Sequence, residues 1–148
     1  MDLVTRASRL PRAGETLIGQ SFSTVPGGKG ANQAVASARL GAEVAMIGCV
    51  GTDAYGSQLR DALRVEGIDC GAVSTVAGSS GVALIVVDDS SQNAIVIVAG
   101  SNGELTPASL QASDAVLQAA DVIVCQLEVP METVGHALKR GRELGKTV

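Results

Sequence analysis

The sequence predicts an α/β fold with a parallel sheet and a smaller, separate β-sheet. Two apolar runs, residues 43–50 and 121–127, have the continuous hydrophobic pattern of parallel strands that are buried on both faces. Helix-like segments alternate with these runs, as in βα units. Two further stretches, residues 3–25 and 81–98, each contain a pair of strand-like segments outside this alternation. We therefore expect an α/β layer with a small β subdomain.

The first pair of strand-like segments leads into a glycine turn. Residues 3–8 are predicted to form a strand, residues 11–14 a turn, and residues 15–25 a long β-type run. Residues 26–33 form the glycine turn, and the alanine-rich residues after it favour a helix that ends before Gly41.

The glycine turn has the features of a ligand-binding loop. Its glycines let the backbone approach a ligand closely. A turn that opens a helix also presents free N–H groups and the positive end of the helix dipole. Lys29 adds a cation, and the Asn32 amide adds donors and an acceptor. The turn therefore suits a polar, oxygen-rich ligand.

Two known glycine motifs do not fit this turn. A Walker A loop needs Gly-x-x-x-x-Gly-Lys-Ser/Thr, and Ala31 cannot bind magnesium as a Ser or Thr hydroxyl would. The spacing of the Rossmann Gly-x-Gly-x-x-Gly fingerprint is also absent. An ordinary glycine-rich helix start with a solvated Lys29 remains open on composition alone.

The middle of the chain is predicted to contain a helix, a short strand and a hairpin. Asp53 is expected to cap a helix over residues 54–66, and residues 72–76 to form the short strand. Residues 81–87 and 94–98 flank a polar turn, which predicts an antiparallel hairpin. A β subdomain made from both hairpins could cover a ligand on the glycine turn, as lids do.

The last third of the chain is predicted to contain three helices and the second buried strand. The helices should begin at Pro107, near Asp114 and after Pro130, and the last should continue through Leu144. His136 lies within the last helix and has no acid or nucleophile partner in the sequence. We therefore interpret His136 as structural or exposed.

Glu128 comes directly after the apolar run at residues 121–127. Ligands of open α/β sheets bind outside the carboxyl ends of the strands, and a carboxylate there can accept hydrogen bonds from hydroxyl groups. The alternative is a carboxylate that caps the following helix or interacts with its dipole. Both interpretations remain open from the residues alone.

Composition limits the classes of partner and location. A net charge of −4 and a pI near 4.9 argue against nucleic acid and anionic membranes as partners. No apolar run reaches the about 20 residues of a membrane-spanning helix. Cys49, Cys70 and Cys125 are widely spaced and form no Cys-x-x-Cys motif, so we expect free thiols in a reducing cytoplasm. Strand-like residues at both ends lead us to expect that the chain is part of a longer protein.

Residues 27–34, Gly-Gly-Lys-Gly-Ala-Asn-Gln-Ala, resemble the N-terminal signature of the ribokinase, or PfkB-type, family of carbohydrate kinases. Supporting matches follow in order along the whole chain, at residues 11–16, 41–42, 51–56, 81–84, 99–102 and 126–130. The resemblance implies that residues 1–148 are the N-terminal part of one Rossmann-like domain. Segments 3–25 and 81–98 would form its β lid, and the lid would also make a homodimer contact.

The resemblance also implies a sugar site. The residues that would bind the sugar are Asp2, Gly28, Lys29, Gly30, Ala31, Asn32 and Glu128. In this family the catalytic base, the anion hole and the ATP site lie in a C-terminal part that follows the region matched here. The resemblance therefore assigns no catalytic residue, ATP contact or metal ligand to this chain, although it implies ATP, Mg²⁺ and a monovalent cation such as K⁺ as cofactors.

The function implied is transfer of the ATP γ-phosphoryl group to the 5-hydroxyl of D-ribose. Another sugar or nucleoside kinase of the same family is the nearest alternative. A noncatalytic sugar-binding or dimerisation module is an alternative from a different class. A nucleotide-binding Rossmann protein is less favoured, because its glycine fingerprint is absent.

Overall fold

The computed structural model describes residues 1–148 and contains six strands and five α-helices. The strands are β1 (Asp2–Arg6), β2 (Ser21–Val25), β3 (Gly48–Gly51), β4 (Val73–Val76), β5 (Val82–Val87) and β6 (Asn93–Val98). The helices are α1 (Lys29–Arg39), α2 (Ala54–Val65), α3 (Pro107–Ala112), α4 (Asp114–Ala119) and α5 (Met131–Glu143), and a 3₁₀ helix covers Gly100–Glu104.

Four of the strands form one sheet in the order β2-β1-β5-β6. β1 pairs antiparallel with β2, and β5 pairs antiparallel with β6, so both predicted hairpins form. The hairpins join through a parallel pairing of β1 with β5, which places Asp2 between Val25 on one side and Ala83 on the other. No residue of these four strands is buried.

The rest of the chain forms a helical body around the short parallel pair β3–β4. One apolar cluster lies between this pair and helices α1 and α2, and it consists of Ala34, Val50, Leu63, Ile68, Cys70 and Val73. A second cluster joins α3, α4 and α5 to residues 121–125, and it consists of Leu110, Leu117, Ile123 and Ala137. The buried side chains of the body are therefore almost all aliphatic, as the scarcity of aromatic residues requires.

Three predicted strands are shorter than the sequence pattern suggested, or absent. Residues 15–20 are irregular, and only Ser21–Val25 pairs with β1. Of residues 43–50, only the last three belong to a ladder, and Ala45 makes a single bridge to Asp69. Residues 15–20 mix polar and apolar residues, but that composition does not by itself provide a neighbouring strand to pair with.

The prediction of a buried strand at residues 121–127 was wrong for this chain. The segment makes only one bridge, between Val122 and Thr147. Ile123 is buried, whereas Val122 and Val124 are 57% and 67% exposed. The apolar run is thus covered on one face only. A strand forms a ladder only along a neighbouring strand, and residues 121–127 pair with another segment at one bridge alone.

Local signals at the helix ends were read correctly. The Asp53 carboxylate accepts a hydrogen bond from Gly56 N at 3.0 Å and caps α2. Thr106 caps α3 with Pro107 at its first position.

The other residues singled out from the sequence agree with their interpretation. His136 is exposed on α5. All three cysteines are free thiols, and burial raises the pKa of each. No helix combines the length and the apolar character that crossing a membrane would require.

Candidate functional site

The glycine turn opens α1 with unpaired backbone donors. Gly28 is the N-cap, with φ +100° and ψ 134°, a left-handed conformation that favours glycine, and no side chain caps the helix. The first backbone bond of the helix runs from Asn32 N to Gly28 O at 2.9 Å. The N–H groups of Lys29, Gly30 and Ala31 therefore have no backbone or side-chain partner and are free to bind an oxygen-rich ligand.

Asp2 lies against this turn from the four-stranded sheet. A Cβ atom on Gly27 would lie only 2.6 Å from Asp2 Cγ, so only a glycine leaves room for the carboxylate at this position. Asp2 is the first residue of β1 and is half-buried. The pairing of β1 with β2 and β5 therefore fixes the carboxylate beside the turn.

Glu128 reaches the same turn from the helical body. Its carboxylate forms an ion pair with the Lys29 ammonium group, and the two side chains are 37% and 64% exposed. Gln126 Nε2 donates to Gln33 Oε1 at 2.8 Å, which joins the same segment to α1 one turn further on. The alternative of a helix-capping Glu128 is wrong, because Pro130 is the N-cap of α5 and no side chain caps that helix.

The structure brings most of the residues proposed from the sequence to one place. Asp2 and Glu128 both lie against the turn, although the two residues are 126 positions apart along the chain. Asn32 is exposed at the start of α1, and Ala31 is partly buried and packs on the first apolar cluster. The arrangement combines two carboxylates, an ammonium group and free N–H donors, which together match the donors and acceptors of a polyhydroxyl compound.

The contact between Gln33 and Gln126 was not identified from the sequence as part of the site. Lys29 and Gln33 are four residues apart on α1, so they share a helix face, and both reach residues 126–128. This four-residue spacing was the one signal in the sequence that could have placed Gln33 beside Lys29 in the site. The position of Gln126 two residues before Glu128 becomes informative only once the two segments are known to touch.

No metal site accompanies these residues. Nowhere in residues 1–148 do three or more His, Cys, Asp or Glu side chains converge as the ligands of a metal ion would. These side chains therefore supply no cluster of carboxylates for the Mg²⁺ implied by the resemblance.

Comparisons with known proteins agree with this geometry. The family described as pfkB family carbohydrate kinase matches residues 1–147. The chain is 45% identical over 140 residues to the ribokinase of Bacillus subtilis, which covers 94% of this chain and 47% of that protein. It is 41% identical over 146 residues to the deoxyribokinase of Salmonella typhi, which covers 98% of this chain and 48% of that protein.

Solved structures show the same similarity in three dimensions. The Giardia lamblia ribokinase superposes with a TM-score of 0.86 at 32% identity, covering 97% of this chain and 47% of that one. The Arabidopsis thaliana ribokinase, solved in complex with ribose and ATP, has a TM-score of 0.84 at 29% identity, covering 98% and 48%. The chain therefore has the ribokinase-type α/β fold and spans about half the length of the curated relatives it matches.

Proposed function

Because the chain belongs to the pfkB family of carbohydrate kinases, we propose that the full protein transfers the ATP γ-phosphoryl group to the 5-hydroxyl of D-ribose. Residues 1–148 would be the N-terminal, sugar-binding part of one domain. The observation that carries the proposal is the meeting of Asp2 and the Lys29–Glu128 ion pair at the glycine turn. Identities of 40–45% to several ribokinases support the choice of sugar.

Each part of the site has a role that pentose chemistry requires. The carboxylates of Asp2 and Glu128 would accept hydrogen bonds from sugar hydroxyls, and Asn32 can both donate and accept. The free N–H groups of Lys29, Gly30 and Ala31 would donate to sugar oxygens. Lys29 would orient the Glu128 carboxylate through their ion pair. A site of this kind rejects analogues that lack a hydroxyl, because its polar groups are then left unpaired.

We place the ATP site and the catalytic base outside residues 1–148. The Arabidopsis thaliana structure contains both ribose and ATP, and a Cryptococcus neoformans ribokinase structure contains ADP, which supports ATP as the phosphoryl donor in this family. Mg²⁺ and K⁺ stay predictions. A cytoplasmic location likewise stays a prediction.

The four-stranded sheet would act as a lid over the sugar and as the contact surface of a homodimer. Asp2 shares one face of the sheet with Val4, Ile85 and Ile97, by the register of the strands. The other face carries Phe22, which is 64% exposed, together with Leu3, Leu84 and Val96. The face of Asp2 would cover the ligand, and the face of Phe22 would be covered by a second copy.

Deoxyribokinase activity is the second candidate within the family. The Salmonella deoxyribokinases are 41% identical to this chain, which is within the range of its ribokinase relatives. Ribose and 2-deoxyribose differ only by the 2-hydroxyl. The carboxylates and N–H groups at the glycine turn would discriminate between them if one of these groups binds that hydroxyl.

The test uses the full-length gene product, whose intact mass is measured first. ATP-coupled turnover is then compared for ribose, 2-deoxyribose, fructose and adenosine. We expect kcat/KM for ribose to exceed that for fructose and adenosine, and to exceed that for 2-deoxyribose about tenfold, because a missing hydroxyl leaves a polar group of the closed site unpaired at a cost of about 1–3 kcal/mol. Equal or higher kcat/KM for 2-deoxyribose would favour the second candidate. Ribose binding without turnover would favour the noncatalytic module.

A further inference from the structure

The most deeply buried residue of the chain is a serine at the base of the β5–β6 hairpin. Ser80 is 0% exposed and lies between β4 and β5, two residues before β5 begins. A buried hydroxyl is costly unless it is hydrogen-bonded. Its partners therefore show what holds the base of the hairpin in place.

Asp53 holds Ser80 from the helical body. Ser80 N donates to Asp53 Oδ2 at 2.9 Å, and Ser80 Oγ donates to Asp53 Oδ1 at 2.7 Å. Ser80 Oγ in turn accepts a hydrogen bond from Gly51 N at 3.0 Å, at the end of β3. The bond from the Ser80 hydroxyl is the main reason why the pKa of Asp53 is lowered, so this carboxylate is ionised at neutral pH. The contact is thus charge-assisted at both of its oxygens.

The exit of the hairpin is held to the same strand. Ser101 N donates to Ser79 O at 2.9 Å, and Ser101 Oγ donates to Cys49 O at 3.1 Å. The backbone is packed so closely that a Cβ on Gly51 would lie 2.5 Å from Gly78 O. Both ends of the hairpin are therefore fixed to β3 by a serine side chain, Ser80 at its entry and Ser101 at its exit.

A short backbone path leads from Ser80 to Asp2. The backbone nitrogen of Met1 donates to Gly81 O at 2.8 Å, and Ala83 N donates to Met1 O at 3.0 Å. Asp2 then pairs with Ala83 in the ladder between β1 and β5. A shift of Ser80 and Gly81 would therefore move Met1 and the Asp2 carboxylate relative to the glycine turn.

We infer that Asp53 and Ser80 are positioning residues for the sugar site: their contact fixes the β5–β6 hairpin on the helical body and, through Met1, sets the place of the Asp2 carboxylate. The inference rests on the proposed function for its effect on catalysis. Neither side chain touches the glycine turn, so both act through β1 and β5. Asp53 has a second role as the cap of α2, and the test has to separate the two roles.

The test compares two variants in the full-length protein. Ser80→Ala removes the hydroxyl and leaves the cap of α2 intact. Asp53→Ser keeps an oxygen that can cap α2 and removes both bonds to Ser80. Thr106→Ala is the matched control, because it removes the cap of α3, a helix that packs on α4 and α5. Amide hydrogen exchange of β1, β5 and β6 and the steady-state constants for ribose and ATP are measured for each.

We expect Ser80→Ala and Asp53→Ser each to raise the KM for ribose about tenfold, as loss of a hydrogen bond to a charged group does, with kcat and the KM for ATP within about twofold. Exchange in β1, β5 and β6 should accelerate by a similar factor, while exchange in α5 stays as in the wild type. The double variant should be no worse than the worse single variant, because the two residues act as one unit.

A uniform rise in exchange along the chain, as expected for Thr106→Ala, would overturn the inference. So would an unchanged KM for ribose in both variants of an enzyme that phosphorylates ribose. If the wild type does not phosphorylate ribose, the proposed function fails, and the exchange of β1 in the two variants still decides whether Asp53 and Ser80 position it.

Discussion

The four-stranded sheet and the helical body are stabilised in different ways. The sheet has ladders of five, five and six residue pairs, yet none of its strand residues is buried. The body has a two-stranded ladder of only four pairs, yet Val50, Leu63 and Val73 are buried in its cluster. Backbone hydrogen bonds thus dominate in the sheet, and burial of apolar side chains dominates in the body.

This difference indicates which of the two regions is the less stable. A net hydrogen bond contributes about 0.5–1.5 kcal/mol, whereas burial of a large aliphatic side chain contributes about 1.5–3 kcal/mol. A sheet without buried residues is therefore the less stable region, as lids commonly are. It would gain stability from whatever covers its faces, which on the proposed function is the sugar on one side and a second copy on the other.

The largest expected effect comes from shortening a buried side chain of the body. Leu63→Ala should lower the free energy of unfolding by about 2–5 kcal/mol, because it removes apolar contacts and leaves a cavity. Val96→Ala in β6 should cost less than about 1 kcal/mol, because Val96 is 62% exposed. Urea denaturation of both variants measures the contrast. Equal losses would mean that Val96 is covered in solution and that the two regions do not differ as described.

The second effect tests the junction between the two regions. Gly27→Ala would place a methyl group against the Asp2 carboxylate, which must then rotate away from the turn. We expect the KM for ribose to rise about 10–100-fold, since a charged hydrogen-bond acceptor is displaced, with a change in unfolding free energy below about 1 kcal/mol.

Gly135→Ala is the control for this substitution. A Cβ at Gly135, in α5, meets no atom within 4 Å, so this variant should keep the KM and gain a few tenths to about 1 kcal/mol of stability from helix propensity. An unchanged KM for ribose in Gly27→Ala would remove Asp2 from the proposed sugar site.

The third effect isolates the carboxylate that the body contributes. Glu128→Gln keeps the shape of the side chain and removes its charge and the ion pair with Lys29. The KM for ribose should rise about tenfold, because a charged acceptor becomes a neutral one. Glu132→Gln, four residues on in the first turn of α5, is the control. If both variants kept the wild-type KM, Glu128 would have no part in sugar binding.

The same comparison explains which features were predictable from the sequence. Signals confined to a few residues predicted the structure correctly, such as the cap at Asp53, the helix start at Pro107 and the antiparallel hairpins. The parallel pairing of β1 with β5 was not predicted, because it joins residues about 80 positions apart and leaves no local pattern. The positive φ of Gly28 follows from its place in a glycine turn.

Contacts between distant segments were predictable only in part. The resemblance to a known family suggested Asp2 and Glu128 for one site, whereas no spacing rule connects Lys29 with a residue 99 positions later. The apolar run at residues 121–127 indicated what can be buried, not where its partners lie, and the strand prediction failed for that reason. The contact of Gln33 with Gln126 was missed because it depends on residues 126–128 lying close to α1, which no local pattern indicates.

The smallest expected effect is on acid stability, and it belongs to the body alone. Arg140 makes two hydrogen bonds to Asp114, at 2.7 and 2.8 Å, and joins α5 to α4. The Arg140 guanidinium is the main reason why the pKa of Asp114 is lowered to about 2. The unfolded value is about 3.9, so the pair contributes its full stability above pH about 4 and loses it as the pH falls towards about 2.

Asp114→Asn should therefore flatten the decline in the urea midpoint between pH 4 and pH 2.5. The exposed Glu43, which makes no ion pair, provides the control variant Glu43→Gln. The effect should be the smallest of the four, because solvent screens an ion pair at the surface. Hydrogen exchange of β5 and β6 should keep the wild-type pH profile in Asp114→Asn, since the pair touches only helices. A changed profile there would mean that the sheet and the body unfold as one unit.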